Sequence, residues 1–190
     1  MTLAPGQIAV LQALAQNALR QAKVQAAVST LEKTSAIDPE SADTHNLLGL
    51  AWLQSGDLGR ARRSFQEAVR LRPEVAAMRN NLAAVLVRLG QVDAAIREYR
   101  SALQTNPEAA TIHYNLAVAL SGQRRATEAV QSLERAIRYA PNYFEAHLKL
   151  GQILAQTGNR AGAEEHLRKA AQSPDPQVRG AANSSLSSQR

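Results

Sequence analysis

The chain contains no cysteine, so composition alone excludes a disulfide framework, a thiolate zinc site and a cysteine nucleophile. Aromatic residues make up only 4% of its 190 residues, whereas apolar residues of all kinds reach 45%, much of that alanine. Large side chains are spread thinly, which suits closely packed helices better than one thick core. No window approaches the ~18 uninterrupted apolar residues of a membrane span. The stretch Met1 to Gln7 has no charged region followed by an apolar run, so no secretory leader is read there. The expectation is a soluble chain without membrane insertion, the cytoplasm being the favoured compartment. No glycine-rich phosphate loop occurs either, and the isolated glycines read as turns.

Charge of one sign is not concentrated anywhere. Lysine and arginine total 22 against 16 acids, a formal charge of +6, and 18 of the 22 are arginine. A basic balance invites a nucleic-acid reading. Acids are interleaved with the bases throughout, however, and an excess dispersed in this way describes a solvated surface. Nucleic acid is not expected as a partner.

What the chain does have is a period. Pro39, Pro73, Pro107 and Pro141 are spaced by 34 residues, and Pro174 and Pro176 straddle the next place in the series. Windows at 8–41, 42–75, 76–109, 110–143 and 144–177 align the other landmarks without a gap. Position 7 reads Leu14, Leu48, Leu82, Leu116 and Leu150; position 8 is small, as Ala15, Gly49, Ala83, Ala117 and Gly151. Position 20 is alanine in every window (Ala27, Ala61, Ala95, Ala129, Ala163), and position 24 is large: Leu31, Phe65, Tyr99, Leu133, Leu167. Positions 4, 7, 8 and 11 lie on one helical face, and 20, 24 and 27 on another, so each window is two helices. Gly56, Gly90 and Gly158 stand between the halves, where a helix end needs a residue tolerant of positive φ. The recurrent proline closes the second helix. Small residues at positions 8 and 20 permit the two helices to approach within roughly 8 Å.

On these residues the chain resembles the tetratricopeptide repeat family, whose signature is met most fully by Leu48, Gly49, Trp52, Ala61, Phe65 and Pro73. The resemblance covers 8–177. It implies an all-α, right-handed superhelical solenoid of five antiparallel helix pairs. The expected organisation is a leader at 1–7, the five repeats, and a capping helix or tail at 178–190. Asp175 is the expected N-cap of that last segment, with Pro176 at its first position and an apolar stripe of Val178, Ala182 and Leu186. Three departures stand out: Thr34 for alanine in the first window, Arg124 for the turn glycine in the fourth, and Asp175 for the proline in the fifth.

No catalytic, cofactor or metal site is expected, and the chain is read as a non-enzyme. His45, His113 and His147 all fall at position 4 of separate windows, about 10 Å or more apart at helix-packing distances, too far to share a metal. Glu164, Glu165 and His166 point away from the stripe of Ala163 and Leu167, and read as a solvated face.

In tetratricopeptide proteins the face opposite the packing stripe of each first helix lines a concave groove. The resemblance therefore assigns peptide contact to Asn46, Leu47, Leu50, Asn80, Asn81, Ala84, Arg88, Tyr114, Asn115, Val118, Lys149 and Gln152. Leu47, Leu50, Ala84 and Val118 are expected to form an apolar floor, since exposed apolar surface rimmed by polar groups commonly marks a binding site. Asparagine carries both donor and acceptor, so Asn81 and Asn115 are expected to hold the backbone of an extended peptide. Their register resembles, in part, the asparagine ladder of the O-GlcNAc transferase type. The two-carboxylate clamp of chaperone-binding members is absent: the matching positions carry Asn46, Leu50, Thr111 and Asn115, or Asn80, Ala84, Glu145 and Lys149. Tyr114 is the expected aromatic anchor, while Tyr143 and Phe144 are expected to pack between repeats. The partner is thus a protein or extended peptide; self-association as a homo-oligomer and a repeat region within a larger protein, such as a glycosyltransferase, are the alternatives.

Overall fold

The computed structural model describes residues 5–188, with Pro5 described by its backbone alone. The described residues form eleven α-helices and no strand. Contacts divide the chain into two compact units, Met1–Thr105 and Asn106–Arg190. The first holds α1 (Pro5–Arg20), α2 (Val24–Ile37), α3 (Ala42–Ser55), α4 (Leu58–Leu71), α5 (Ala76–Arg88) and α6 (Val92–Thr105). The second holds α7 (Ala110–Gly122), α8 (Ala126–Tyr139), α9 (Phe144–Gln156), α10 (Arg160–Ala170) and α11 (Pro176–Ser187). In the first unit α1 packs on α2, α3 on α4 and α5 on α6, and α2 on α3 and α4 on α5 join the hairpins. In the second, α7 pairs with α8 and α9 with α10, and α11 lies on both α9 and α10. The last three residues of the expected leader belong to α1, which starts at Pro5.

Local chemistry explains the boundaries. Side chains cap four helices: Ser41 accepts from the Thr44 N–H, Asp57 from that of Arg60, Asn159 from that of Gly162 and Asp175 from that of Gln177. Each such cap satisfies one of the amide groups that a helix start leaves without a partner. At the other ends Asp38, Arg72 and Ala140 leave the helical region, with ψ of 84°, 76° and 85°. Each precedes a proline, whose ring disfavours a helical residue before it. The residue at position 15 of every window is left-handed: Gly56, Gly90 and Gly158 at φ 87°, 75° and 86°, but also Ala22 at 57° and Arg124 at 59°. The turn is therefore kept where its glycine is not.

The core follows the small-to-large pairing. A Cβ at Gly49 would stand 2.5 Å from the Phe65 ring, and one at Gly151 would stand 2.7 Å from Leu167. Both glycines are needed for close helix approach, as position 8 implies. Thr34 is buried despite its hydroxyl, because its Oγ donates to the Thr30 carbonyl at 2.8 Å within the same helix.

The first helices carry a second seam. Positions 3, 7 and 10 are buried as Thr44, Leu48 and Ala51 in α3, as Met78, Leu82 and Val85 in α5, and as Ala146, Leu150 and Ile153 in α9. In α3 this seam packs on the first hairpin: Leu48 and Ala51 share a cluster with Ala15, Ala27, Val28 and Leu31. No helix precedes α1 among the described residues, and its own Val10 and Leu14 are 59% and 57% exposed. Leu14, expected within the packing stripe, is thus corrected to an exposed position.

Position 4 ties each repeat to the turn before it. His45, His113 and His147 place Nε2 at 2.9, 2.8 and 3.1 Å from the carbonyl oxygens of Pro39, Pro107 and Pro141, and Arg79 Nε donates to that of Pro73 at 2.8 Å. A carbonyl only accepts, so these histidines carry their proton on Nε2. The three rings sit in separate hairpins. The same latch recurs two residues early on α11, where Arg179 donates to the Ser173 carbonyl at 2.9 Å.

Candidate functional site

In the first unit the ends of α1, α3 and α5 surround an open depression of about 520 Å³ lined by Leu19, Arg20, Leu50, Leu53, Gln54 and Arg88. α1, α3 and α5 meet side by side, which brings three positions 34 residues apart, Arg20, Gln54 and Arg88, to one rim. Leu19, Leu50 and Leu53, all partly buried, form the floor. Gln54 is steadied by donation from its Nε2 to the Leu19 carbonyl at 3.4 Å. Of the residues expected on the groove face, Leu50 and Arg88 both line this depression. Leu19 and Leu53 were missed: they stand at position 12, on the shoulder of the face, and only the stacking of α1 beside α3 turns them inward.

Leu47 is a correction. It is only 5% exposed and sits in the cluster of Leu31, Leu48 and Ala51. Stacking of α3 on the first hairpin covers it, and it offers no open floor. The polar residues of the face also have partners within the fold. Asn81 Nδ2 donates to Asn46 Oδ1 at 2.9 Å, and Gln12 Nε2 donates to the hydroxyls of Ser41 and Thr44 at 3.1 and 2.9 Å. Such bonds join neighbouring first helices. Between the asparagines it takes one of the two N–H groups of Asn81 and one of two lone pairs of Asn46. Asn80 is partly buried, as is Ala84.

In the second unit Asn115, Lys149 and Gln152 are partly buried on α7 and α9, and Val118 is 37% exposed. Tyr114 is half-buried with its ring centroid 5.0 Å from that of Tyr143, and burial pushes its hydroxyl above the usual range. The expected anchor is thus already packed on one face. Phe144 packs on Ala170, Val178 and Ala182.

A pair not foreseen from sequence lies within the last hairpin. His147 Nδ1 stands 3.0 Å from His166 Nδ1, with ring centroids 5.2 Å apart. Because His147 carries its proton on Nε2, its Nδ1 accepts, and His166 donates through Nδ1. His166 is partly buried and does not simply face water, which corrects the solvated-face reading for that residue; Glu164 and Glu165 are exposed. Burial lowers the His147 pKa below its ordinary 6.5, and His166 and Lys169 push the same way. The equivalent places in the third window hold Arg79 and Glu98, an ion pair at 2.7 Å. No group of three or more His, Cys, Asp or Glu that could hold a metal exists among the described residues. None of the described helices is long and apolar enough to cross a membrane.

Helical hairpins stacked through small-to-large contacts, with an open apolar depression on their first helices, define an all-α repeat protein of the solenoid class. Tetratricopeptide repeat models match residues 13–76 and 114–177, and a further TPR repeat model matches 84–123. The chain belongs to the tetratricopeptide repeat family. Comparison with curated proteins gives no match. Among solved structures the chain is similar to pilF of Pseudomonas aeruginosa, with a TM-score of 0.83 and 18% identity over 95% of this chain and 87% of that one. It is also similar to MamA from Desulfovibrio magneticus RS-1, at TM-score 0.78 and 21% identity over 86% and 92%. YrrB, described as a TPR protein with an unusual peptide-binding site, superposes at TM-score 0.74 with 21% identity over 92% and 90%. These likenesses establish the fold, which is the tetratricopeptide solenoid.

Proposed function

We propose that the protein is a non-catalytic interaction scaffold that binds a peptide segment of a partner on the faces of its first helices. One observation carries the reading: the apolar floor of Leu19, Leu50 and Leu53, left open beneath a polar rim. Apolar surface of this kind, rimmed by polar groups, is where a partner side chain loses its water. The face of α7 and α9, with Asn115, Val118, Lys149 and Gln152, belongs to the same proposal for the second unit, with Tyr114 at its edge. Asn80, Asn81 and Ala84 flank the floor in the first. Asn81 holds Asn46, so its share in peptide binding rests on the amide capacity left after that bond. The described peptide site of YrrB lends the fold a precedent. The test is selection of a random peptide display library on the full chain and on Leu50→Asp. Peptides retained by the parent and lost by the variant, with unchanged melting temperature, support the site; retention by both places binding elsewhere.

A second reading, self-association, is favoured by the exposure of Val10 and Leu14 on α1, a helix whose described residues include no acid in the first turn and only Arg20 as a base. Sedimentation of the parent against Leu14→Asp decides it: a dimer lost in the variant supports it, and a concentration-independent monomer rejects it.

A further inference from the structure

We infer that the depression of the first unit takes an acidic peptide segment, one large apolar side chain flanked by carboxylates; this rests on the peptide-binding reading above and names its ligand. Four arginines of this unit are matched to acids, Arg60 with Asp57, Arg70 with Glu67 and Glu40, Arg72 with Asp43 and Glu74, and Arg79 with Glu98, whereas Arg62, Arg63 and Arg97 on the second helices are in no ion pair among the described residues and do not line the apolar depression. Arg20 and Arg88 are in no such pair among the described residues, and no carboxylate lines the depression they share. Two guanidinium groups therefore stand at one rim with Gln54, a third donor, in the same row. Below them is a floor with no charge and no exposed acceptor side chain. A guanidinium offers five N–H donors in a fixed fork and no acceptor, so it selects oxyanions, and beside an apolar floor the oxyanion that a peptide supplies is a carboxylate.

The floor sets the second requirement. Leu19, Leu50 and Leu53 gain only if an apolar side chain displaces water from them. A free anion would satisfy the rim and leave the floor wet, and a neutral apolar segment would do the reverse. Position at the helix ends gives Arg20 and Arg88 one role inside the fold, since a cation there offsets the negative end of the helix dipole. That role is a matter of stability. It does not explain why two such ends, two repeats apart, converge on an apolar hollow. The absence of the two-carboxylate clamp residues from positions 2, 5, 6 and 9 means that this subsite, at positions 9, 12 and 13, would read acidity by a different row.

The experiment uses the full chain and three fluorescein-labelled peptides of one length: leucine between glutamates, leucine between glutamines, and alanine between glutamates. Anisotropy titration should rank the first ahead of both others, by about tenfold or more at low salt, the advantage shrinking as salt rises. The double variant R20Q/R88Q should bring the glutamate peptide down to the glutamine one while the melting temperature stays within a few degrees. Arg63→Gln, exposed on α4, should change nothing. If the glutamine peptide binds as well as the glutamate one, acidity is not read and the inference falls, although the apolar site stands. An acidic preference that survives R20Q/R88Q overturns the inference too, since the charge would then act elsewhere. If no leucine peptide binds, both this inference and the groove reading for the first unit fail.

Discussion

Two residues hold a conformation that their side chains resist. Ala22 and Arg124 occupy the left-handed turn at φ 57° and 59°, where the equivalent positions hold Gly56, Gly90 and Gly158. A non-glycine residue there costs roughly 1–2 kcal/mol, and glycine returns about 0.4–1 kcal/mol of that to the unfolded chain. Ala22→Gly and Arg124→Gly should each raise stability by up to about 1 kcal/mol, read as an increase in denaturant midpoint without change of slope. A fall in either midpoint would mean that the turn is not strained. Burial lowers the pKa of His113, with the charge of Arg135 acting in the same sense, and likewise that of His147. Their folded values lie below the ordinary 6.5, so the unfolded chain binds protons first as the pH drops. Stability from keeping them neutral is fully present above about 6.5 and is lost as pH falls from there through the lowered folded values. For His147 the mechanism is visible: a second proton on Nδ1 would meet the N–H of His166. The melting temperature should decline across that window. His147→Gln should flatten the decline, and a profile identical to the parent's would show that this ring does not titrate in it.

At the scale of elements, α11 covers a seam that would otherwise be wet. Val178 and Ala182 are buried against Ala170 and Phe144, and Asp175 caps the helix start. Val178→Ser removes apolar burial worth about 1.5–3 kcal/mol and leaves a hydroxyl in its place. Lower stability is expected, together with faster amide exchange in α9 and α10. Unchanged exchange there would make α11 a tail that merely rests on the hairpin. Much of this element plan was legible. The proline spacing and the alanine at position 20 report directly on helix ends and tight crossings, which are local requirements repeated in every hairpin. The stripe at positions 4, 7, 8 and 11 was incomplete because periodicity shows which way a side chain points and not which neighbour stands there. Positions 3 and 10 face the preceding hairpin, and their residues vary from Thr44 to Met78 and from Ala51 to Ile153. Leu47 misled for the same reason. Judged by direction it faces outward; the first hairpin, stacked beside α3, covers it. His147 and His166, 19 residues apart, meet only because position 4 of one helix lies over position 23 of the next, a register set by packing.

At the scale of the whole molecule the question is what a charge of +6 and a pI near 10.2 are for. A basic chain attracts any polyanion at low salt, and phosphate contacts release counterions, so affinity falls steeply as salt rises. Specific nucleic-acid binding would also need bases free to follow a backbone. Here six of the 18 arginines, Arg60, Arg70, Arg72, Arg79, Arg125 and Arg168, are held by carboxylates within about a turn or in the adjoining helix, which thins the set of bases open to a phosphate. Apart from the partly buried Arg79–Glu98 pair, these exposed pairs are each worth only about 0–1 kcal/mol to the fold, but they occupy donors that a phosphate would need. The chain should therefore retard duplex DNA only below about 0.1 M salt, where screening is weak, and without sequence preference. Near physiological salt the retardation should vanish, while binding of a leucine-containing acidic peptide persists in part, because apolar burial is not screened. An electrophoretic shift assay run beside the peptide titration makes the comparison. A DNA complex that survives physiological salt, or one that the R20Q/R88Q variant abolishes, would make the row at position 13 a phosphate-binding site instead of a peptide-binding one.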